Sequence, residues 1–164
     1  MTKENVAGMS RFLPSSVTLL TVGTKKEQDA MTASAMFVSE NPLLLTVSVA
    51  KHIVSHDLIE KTGEFALNVA TAAQVKLARQ LGFTHGSQVD KFKRFAIRTT
   101  RASKIRSPLI KDSYANLECK VITSLSAANY VIYVAEVVAW KVNQKLLPVA
   151  WYGNKYFALN EEVR

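Results

Sequence analysis

The stretch "SVAKHIVS", Ser48 to Ser55, places a lysine and hydroxyl side chains where an apolar strand runs into the start of a helix. Lys51, the Ser55 hydroxyl and the free backbone N–H groups of a first helical turn form the donor set of a phosphate cradle, because that turn offers unpaired donors and a partial positive charge. A plainer use is also open, in which Ser55 only caps its helix and Lys51 is solvated. Upstream, "DAMTASAMF", Asp29 to Phe37, has the length of a half-buried strand but carries Thr32, Ala33 and Ser34 at its centre. Strand interiors favour β-branched and aromatic side chains, so this small polar centre leaves space for something else to fill. Downstream, "DKF", Asp90 to Phe92, sets a cation beside an aromatic ring in what reads as a loop after a helix.

Other chemistries find little support. The chain has no Gly-x-Gly-x-x-Gly, no Walker-type phosphate loop, no Gly-x-Ser-x-Gly and no Cys-x-x-Cys. His52 and His56 would share a face only within a helix, and the expected helix starts at Ser55, between them. His85 has no carboxylate or cysteine at a ligand spacing and reads as a solvated loop residue. Cys119, flanked by Glu118 and Lys120 on the opposite strand face, reads as a small core residue.

The composition, 48% hydrophobic and 21% charged over 164 residues, is that of one globular domain spanning the whole chain, residues 1–164. No apolar run approaches the roughly 20 residues of a membrane-spanning helix. The N-terminal stretch has no apolar signal-peptide centre, and a single cysteine excludes an internal disulfide, so a cytoplasmic location is expected. The formal charge of +8 is concentrated between Lys91 and Arg106, where basic residues run without an acid. A solvated face, a nucleic acid, a phosphorylated cofactor and a phosphorylated substrate all suit such a block, and charge alone does not choose. Only Phe92 and Phe95 are interleaved with these charges as stacking residues, which disfavours a single-strand-binding barrel.

The elements that must position these residues follow from periodicity and punctuation. Val17 to Val22, Met31 to Val38, Leu43 to Val49 and Phe65 to Val69 are runs of strand length. Two longer strands, Tyr114 to Leu125 and Tyr130 to Val142, are joined through "SAAN" as a hairpin. In the second, Val131, Tyr133, Ala135 and Val137 share one face and Ile132, Val134, Val138 and Trp140 the other, so both faces read as covered. One helix is expected from a Ser55 cap to Gly63. Another is expected from Thr71, with Gln74 at capping-box spacing, to Gly82. Consecutive strands lie too close together for crossover helices. The expected fold is therefore mainly β, an antiparallel barrel with helices packed on its outside. The covered strand, with Trp140 and Trp151, also predicts a homodimer.

In order along the chain, "MTASAMF", "NPLLLTVSV", "AKHIVS", "GEFALNV" and "VDKF" resemble the flavin reductase-like family of FMN-binding split barrels, over about Phe12 to Val138. The resemblance implies a split β-barrel binding FMN, with the flavin ring over Met31, Thr32, Ala33 and Ser34. It implies that Ser48, Ala50, Lys51 and Ser55 follow the ribityl chain to the phosphate, and that Lys91 and Phe92 close over the cofactor. NAD(P)H is the implied hydride donor, with free flavin, a metal complex or a redox partner protein as acceptor. Many relatives carry Asn where this chain has Asp29, an acid that opposes negative charge on a flavin unless it points away. Many also show an Asp-His pair and a Gly before the last strand's Glu, where this chain reads "ANYVIYVAEV". An FMN-binding electron-transfer module without NAD(P)H reductase activity is the alternative.

Overall fold

The computed structural model describes residues 8–84 and 89–160; His85 lies outside them. The first half of the chain forms β1 (Ser15–Ser16), β2 (Thr18–Thr24), β3 (Glu27–Ala33), β4 (Ala35–Glu40), β5 (Leu43–Ala50), α1 (Val54–Thr62) and β6 (Glu64–Val69). Helices α2 (Val75–Phe83) and α3 (Lys91–Arg94) follow, then the short strands β7 (Thr99–Thr100) and β8 (Leu109–Ile110). Two hairpins complete it: β9 (Ala115–Ala127) with β10 (Tyr130–Val142), and β11 (Val149–Tyr152) with β12 (Lys155–Ala158). The fold is mainly β and antiparallel, as expected.

Seven strands make one sheet in the order β3-β2-β6-β9-β10-β5-β4. Its two edge strands are consecutive in the chain, so the sheet must curve until its edges meet at Ser34. The single strand expected over Met31 to Val38 is thus two strands: Ala33 pairs with Thr18 of β2, whereas Ala35 pairs with Val47 of β5. Hydroxyl groups take over where the ladder breaks. Thr18 Oγ1 donates to the Ala33 carbonyl at 2.7 Å, and Ser16 Oγ donates to the Ala35 carbonyl at 2.8 Å while accepting its N–H at 3.1 Å.

The main core lies inside the curved sheet, where Leu20, Val22, Val47, Val49, Phe65 and Tyr133 are buried against Leu58 and Ile59 of α1. On the other face of β2 and β3, Ala78 and Leu81 of α2 pack with Leu19, Ala30 and Phe92. Cys119 is fully buried in the main core, and burial pushes its thiol up to about 12, which removes it from nucleophilic chemistry.

Several local expectations need correction. Helix α1 starts at Val54 with Ile53 in the capping position, so Ser55 is not the cap; its buried hydroxyl is bonded to Asp29 instead. Gly63 does end α1, at φ 65° with its N–H on the Ile59 carbonyl. Gln74 Oε1 accepts the Thr71 N–H at 3.2 Å, as the capping spacing predicts. Helix α2 runs through Gly82 to Phe83, because Thr84 Oγ1 donates to the Gln80 carbonyl at 2.7 Å and no left-handed glycine is needed to close it. "DKF" is helical, not loop: Asp90 caps α3 by accepting the Lys93 N–H at 3.1 Å.

The long hairpin is present with its turn at Ala128–Asn129; on β10 the inner face is buried, and Ile132, Val134 and Val138 of the outer face are half-buried. Trp140 remains 63% exposed, since the segment around Ile105 reaches only Val138 on the outer side. The β11–β12 hairpin was not foreseen, although Gly153 and Asn154, both at positive φ (58° and 64°), carry the dipeptide signature of a tight hairpin turn. At the β2–β3 turn, Gly23 has φ +93°, and a Cβ there would lie 2.1 Å from the Glu27 carbonyl oxygen, so only glycine fits.

Three buried polar residues fasten the segment between β7 and β9 onto the sheet. Asn68 Oδ1 accepts the Ile110 N–H at 2.8 Å and the Asn116 amide at 2.7 Å. Glu64 Oε1 accepts the Arg106 backbone N–H at 2.7 Å and its Nε at 3.0 Å. Glu118 accepts the Ser103 N–H and hydroxyl and, at 2.6 Å, the Lys104 N–H. Burial alone would raise the Glu118 carboxyl, but these bonds outweigh it and leave it below the usual carboxylate range.

Because the folded value is the lower one, the stabilisation from Glu118 is complete above about pH 4.3, the ordinary glutamate value, and is lost as the pH falls through the folded value. Glu118→Gln is expected to cost about 2–3 kcal/mol at pH 7, with the deficit shrinking in acid. Urea unfolding at pH 7 and pH 3 measures both, and an equal deficit at the two pH values would contradict this account.

Candidate functional site

The edge strand β3 has a free side, and its chemistry there is set by alternation. Lys91 Nζ takes the Ala30 carbonyl at 2.8 Å, which marks Ala30, and one repeat on Thr32, as the residues whose backbone groups face outward. A cavity of about 690 Å³ opens along this edge, bounded by β3, the ends of β5 and α2, and the start of α1. Met31, Thr32, Ala33, Ser34, Ser48, Ala50 and Lys91 of the expected site all line it.

Lys51, Ser55 and Phe92 do not line it. Lys51 is exposed and ties the hairpin turn, donating to Ser126 Oγ at 2.5 Å and the Ala128 carbonyl at 2.7 Å. Ala128 sits at φ +49°, a strained position for a residue with a side chain, so this tether holds a turn that its own sequence disfavours. Phe92 is buried in the core under α2. Sequence reasoning missed His52, Tyr130, Leu81 and Gly82, which also line the cavity. Gly82 faces Thr32, where a Cβ would sit 3.9 Å from the threonine Cβ. A glycine inside a helical period was the available signal.

Asp29 and Lys91 form the deepest polar feature. Lys91 Nζ lies 2.8 Å from Asp29 Oδ1, and both side chains are almost fully buried, at 7% and 6% exposed. Ser55 Oγ donates to the second Asp29 oxygen at 2.6 Å. The acid is thus countered by an adjacent ammonium, and the cavity wall carries a neutral pair instead of a bare carboxylate. His56, by contrast, is turned away into a separate cluster, with Nδ1 2.6 Å from the Tyr133 hydroxyl, which donates to Glu60 at 2.7 Å. Burial and the Glu60 carboxylate raise the Tyr133 phenol.

A second cavity, of about 590 Å³, shares Thr32, Ala33, Ser34, Gly82 and Tyr130 with the first. Its far wall is Ser15, Ser16, Trp151 and Tyr156, brought in by the unforeseen β1–β11–β12 sheet. The two cavities meet over the smallest residues of the strand break. Together they present two adjoining walls, one a free backbone edge and the other aromatic side chains. Among the described residues, no group of acids, histidines and cysteine is arranged to hold a metal ion.

Residues 9–160 match the family described as flavin reductase like domain. An uncharacterised protein of Archaeoglobus fulgidus is 28% identical over 174 residues, covering 99% of this chain and 98% of its own. An NADH-dependent FAD reductase of Streptomyces globisporus is 28% identical over 138 residues, covering 82% of this chain and 75% of its own. Among solved structures, the NADH:FAD oxidoreductase of Streptomyces globisporus C-1027 superposes with a TM-score of 0.87 at 25% identity, covering 98% of this chain and 97% of that one.

Removing one member of the buried pair leaves the other unpaired. Asp29→Asn or Lys91→Met is expected to lower stability by about 3–5 kcal/mol each, and the double variant by clearly less than the sum. Urea unfolding of the four proteins gives the coupling directly; additive losses would show that the two groups do not depend on each other.

Proposed function

The chain belongs to the flavin reductase-like domain family, and from that premise we propose that it binds FMN along the free edge of β3 and reduces it with NAD(P)H. It is an oxidoreductase of the flavin reductase type. The observation that carries the proposal is the meeting of two cavities at Thr32, Ala33 and Ser34. The first suits an isoalloxazine ring: about 690 Å³ lies within the usual range for cofactor sites, and small side chains let a broad flat ring approach the outward backbone groups of Thr32. A bound flavin supplies hydride acceptance and onward electron transfer.

The remaining contributions come from the chain itself. Outward-facing backbone groups of Thr32 offer hydrogen bonds to the ring's polar edge. Lys91 places a cation beside that edge, and Asp29 keeps it in position without leaving net charge in the wall. Ser48 and Ala50 line the path toward the start of α1, where a phosphate meets the free N–H groups of the first turn. Trp151 and Tyr156 offer a stacking wall for the nicotinamide donor, which favours a reductase over a passive electron carrier. No helix among the described residues is long and apolar enough to cross a membrane, and the lone buried Cys119 suits a reducing cytoplasm.

The proposed enzyme acts as a homodimer. Met36, Phe37 and Val38 of β4, Ile122 and Leu125 of β9, and Trp140 of β10 are all exposed large apolar residues of one sheet. Apolar exposure on this scale is what a second copy would cover in part.

Purified protein is expected to quench FMN fluorescence, and the bound flavin to bleach on anaerobic mixing with NADH or NADPH. Ser34→Trp, at an exposed position of the cavity wall, is expected to weaken FMN binding more than tenfold with little change in thermal stability. Binding without bleaching by either nucleotide would establish the electron-transfer module, and no binding would remove the proposal. In sedimentation, the wild type is expected at twice the chain mass and Trp140→Glu at the monomer mass; a wild-type monomer would contradict the dimer.

A further inference from the structure

The basic block of the sequence does not form one solvated face. Lys91 is buried in its ion pair, Arg98 is paired with Asp112 at 2.5 Å, and Arg106 is anchored by Glu64. Of the remaining basic residues, Lys93 and Arg101 border a third cavity, of about 630 Å³, which shares no lining residue with the proposed flavin site. Four cations border it: Lys25 from the β2–β3 turn, Lys93 from α3, and Arg101 and Arg106 from the segment between β7 and β8. Asp90 is the one acid in its lining, and it lies 3.4 Å from Lys93.

This cavity is built as well as charged. Gly23 shapes the turn that presents Lys25, while the Glu118 and Glu64 carboxylates hold the backbone of Ser103, Lys104 and Arg106. Lys25 and Arg101 make no ion pair among the described residues. Phe92, Ile97 and Pro108 supply an apolar floor, and Thr99 and Thr100 stand beside them. An apolar floor rimmed by cations and hydroxyl groups fits a ligand with a flat apolar ring at one end and phosphate at the other.

Shared wall residues place the cavity and the flavin site in series. Val54 borders both the flavin site and an intermediate cavity of about 480 Å³. Lys25, Gln28 and Asp90 border both that intermediate cavity and the basic one. In the intermediate cavity Lys25, Lys26 and Lys61 are balanced by Glu27, Asp57 and Asp90, so the excess of positive charge lies only at the far end.

We propose that the cavity between α3 and the Thr99–Pro108 segment is a nucleotide subsite for an adenosine carrying two phosphate groups, the end of a dinucleotide whose redox ring lies in the first cavity when it is a flavin and in the adjoining second cavity when it is a nicotinamide. The proposal rests on the flavin-site reading for the position of that ring. Two dinucleotides share the chemistry: a flavin extended by adenosine phosphate, and a nicotinamide dinucleotide bearing a 2′-phosphate.

The test is isothermal titration of the full chain with ADP and with 2′,5′-ADP, in the wild type and in Arg101→Glu and Lys25→Glu. Both substitutions are at exposed side chains, and circular dichroism melts confirm that the variants fold. The wild type is expected to bind at least one of the two nucleotides, more weakly as salt rises, and each variant about tenfold more weakly or worse. Failure of both to bind, or equal binding by the variants, overturns the subsite. FMN, which has no adenosine, is the control: if FMN does not bind while ADP binds and responds to the variants, the flavin-site reading fails and the subsite stands. A preference for FAD over FMN that Arg101→Glu abolishes assigns the subsite to the flavin, and a preference for NADPH over NADH that it abolishes assigns it to the nicotinamide donor. Absence of both preferences in the wild type overturns the dinucleotide assignment.

Discussion

A lysine ammonium removed from water must find its partners inside the protein, and the region around the cavities is organised by how Lys91 does so. Its nitrogen meets the Asp29 carboxylate and the Ala30 carbonyl of β3, while Asp29 receives the hydroxyl of Ser55 from α1. One buried cluster therefore fixes three elements, β3, α1 and α3, that have no continuous ladder or helix between them. Ions so deeply buried cost several kcal/mol each unless fully paired, so none of the three elements can drift without exposing that cost. Of these elements, α3 borders both the small-residue cavity and the cation-rimmed one.

The second constraint is the break at Ser34. Keeping both edges of a curved sheet in one continuous ladder would need β3 and β4 to pair with each other, but they are successive segments of one strand-like run. The chain resolves this by changing partners at Ser34 and satisfying the neighbouring carbonyls with the hydroxyl groups of Ser16 and Thr18. What remains is a free strand edge with small side chains, where backbone groups are available to a ligand instead of to another strand. An unpaired edge is ordinarily a hazard for aggregation. Here residues of α2, α3 and the β1–β11–β12 sheet stand around it.

Much of the fold was legible because its signals are local. Alternation marked β9 and β10, the Thr71–Gln74 spacing marked the start of the helical segment, and Gly63 marked the end of α1. The readings that failed had local signals that tertiary contacts overrode. Ser55 has the side chain of a cap, yet it lies inside α1 and Asp29 claims its hydroxyl; Gly82 looked like a terminator, yet the Thr84 hydroxyl made one unnecessary. Of the candidate site, the strand residues from Met31 to Ser34 line the cavity because their small size is a property of the sequence itself. Lys51 does not, because the hairpin turn at Ala128 competes for its ammonium, a demand visible only when strands far apart in the chain are paired.

The sequence by itself determined the strand and helix periods, the small residues of the future strand break, the basic block and the order of motifs that identifies the family. Those are properties of neighbours, and neighbours interact wherever the chain goes. The tertiary structure alone decided that Asp29 would be neutralised by Lys91, that the basic block would be divided between ion pairs and a cavity, and that Trp151 and Tyr156 would form a wall facing Thr32 and Ser34. Each of these joins segments distant in the chain. Which distant segments meet is set by the closure of the sheet, and no local pattern encodes that closure.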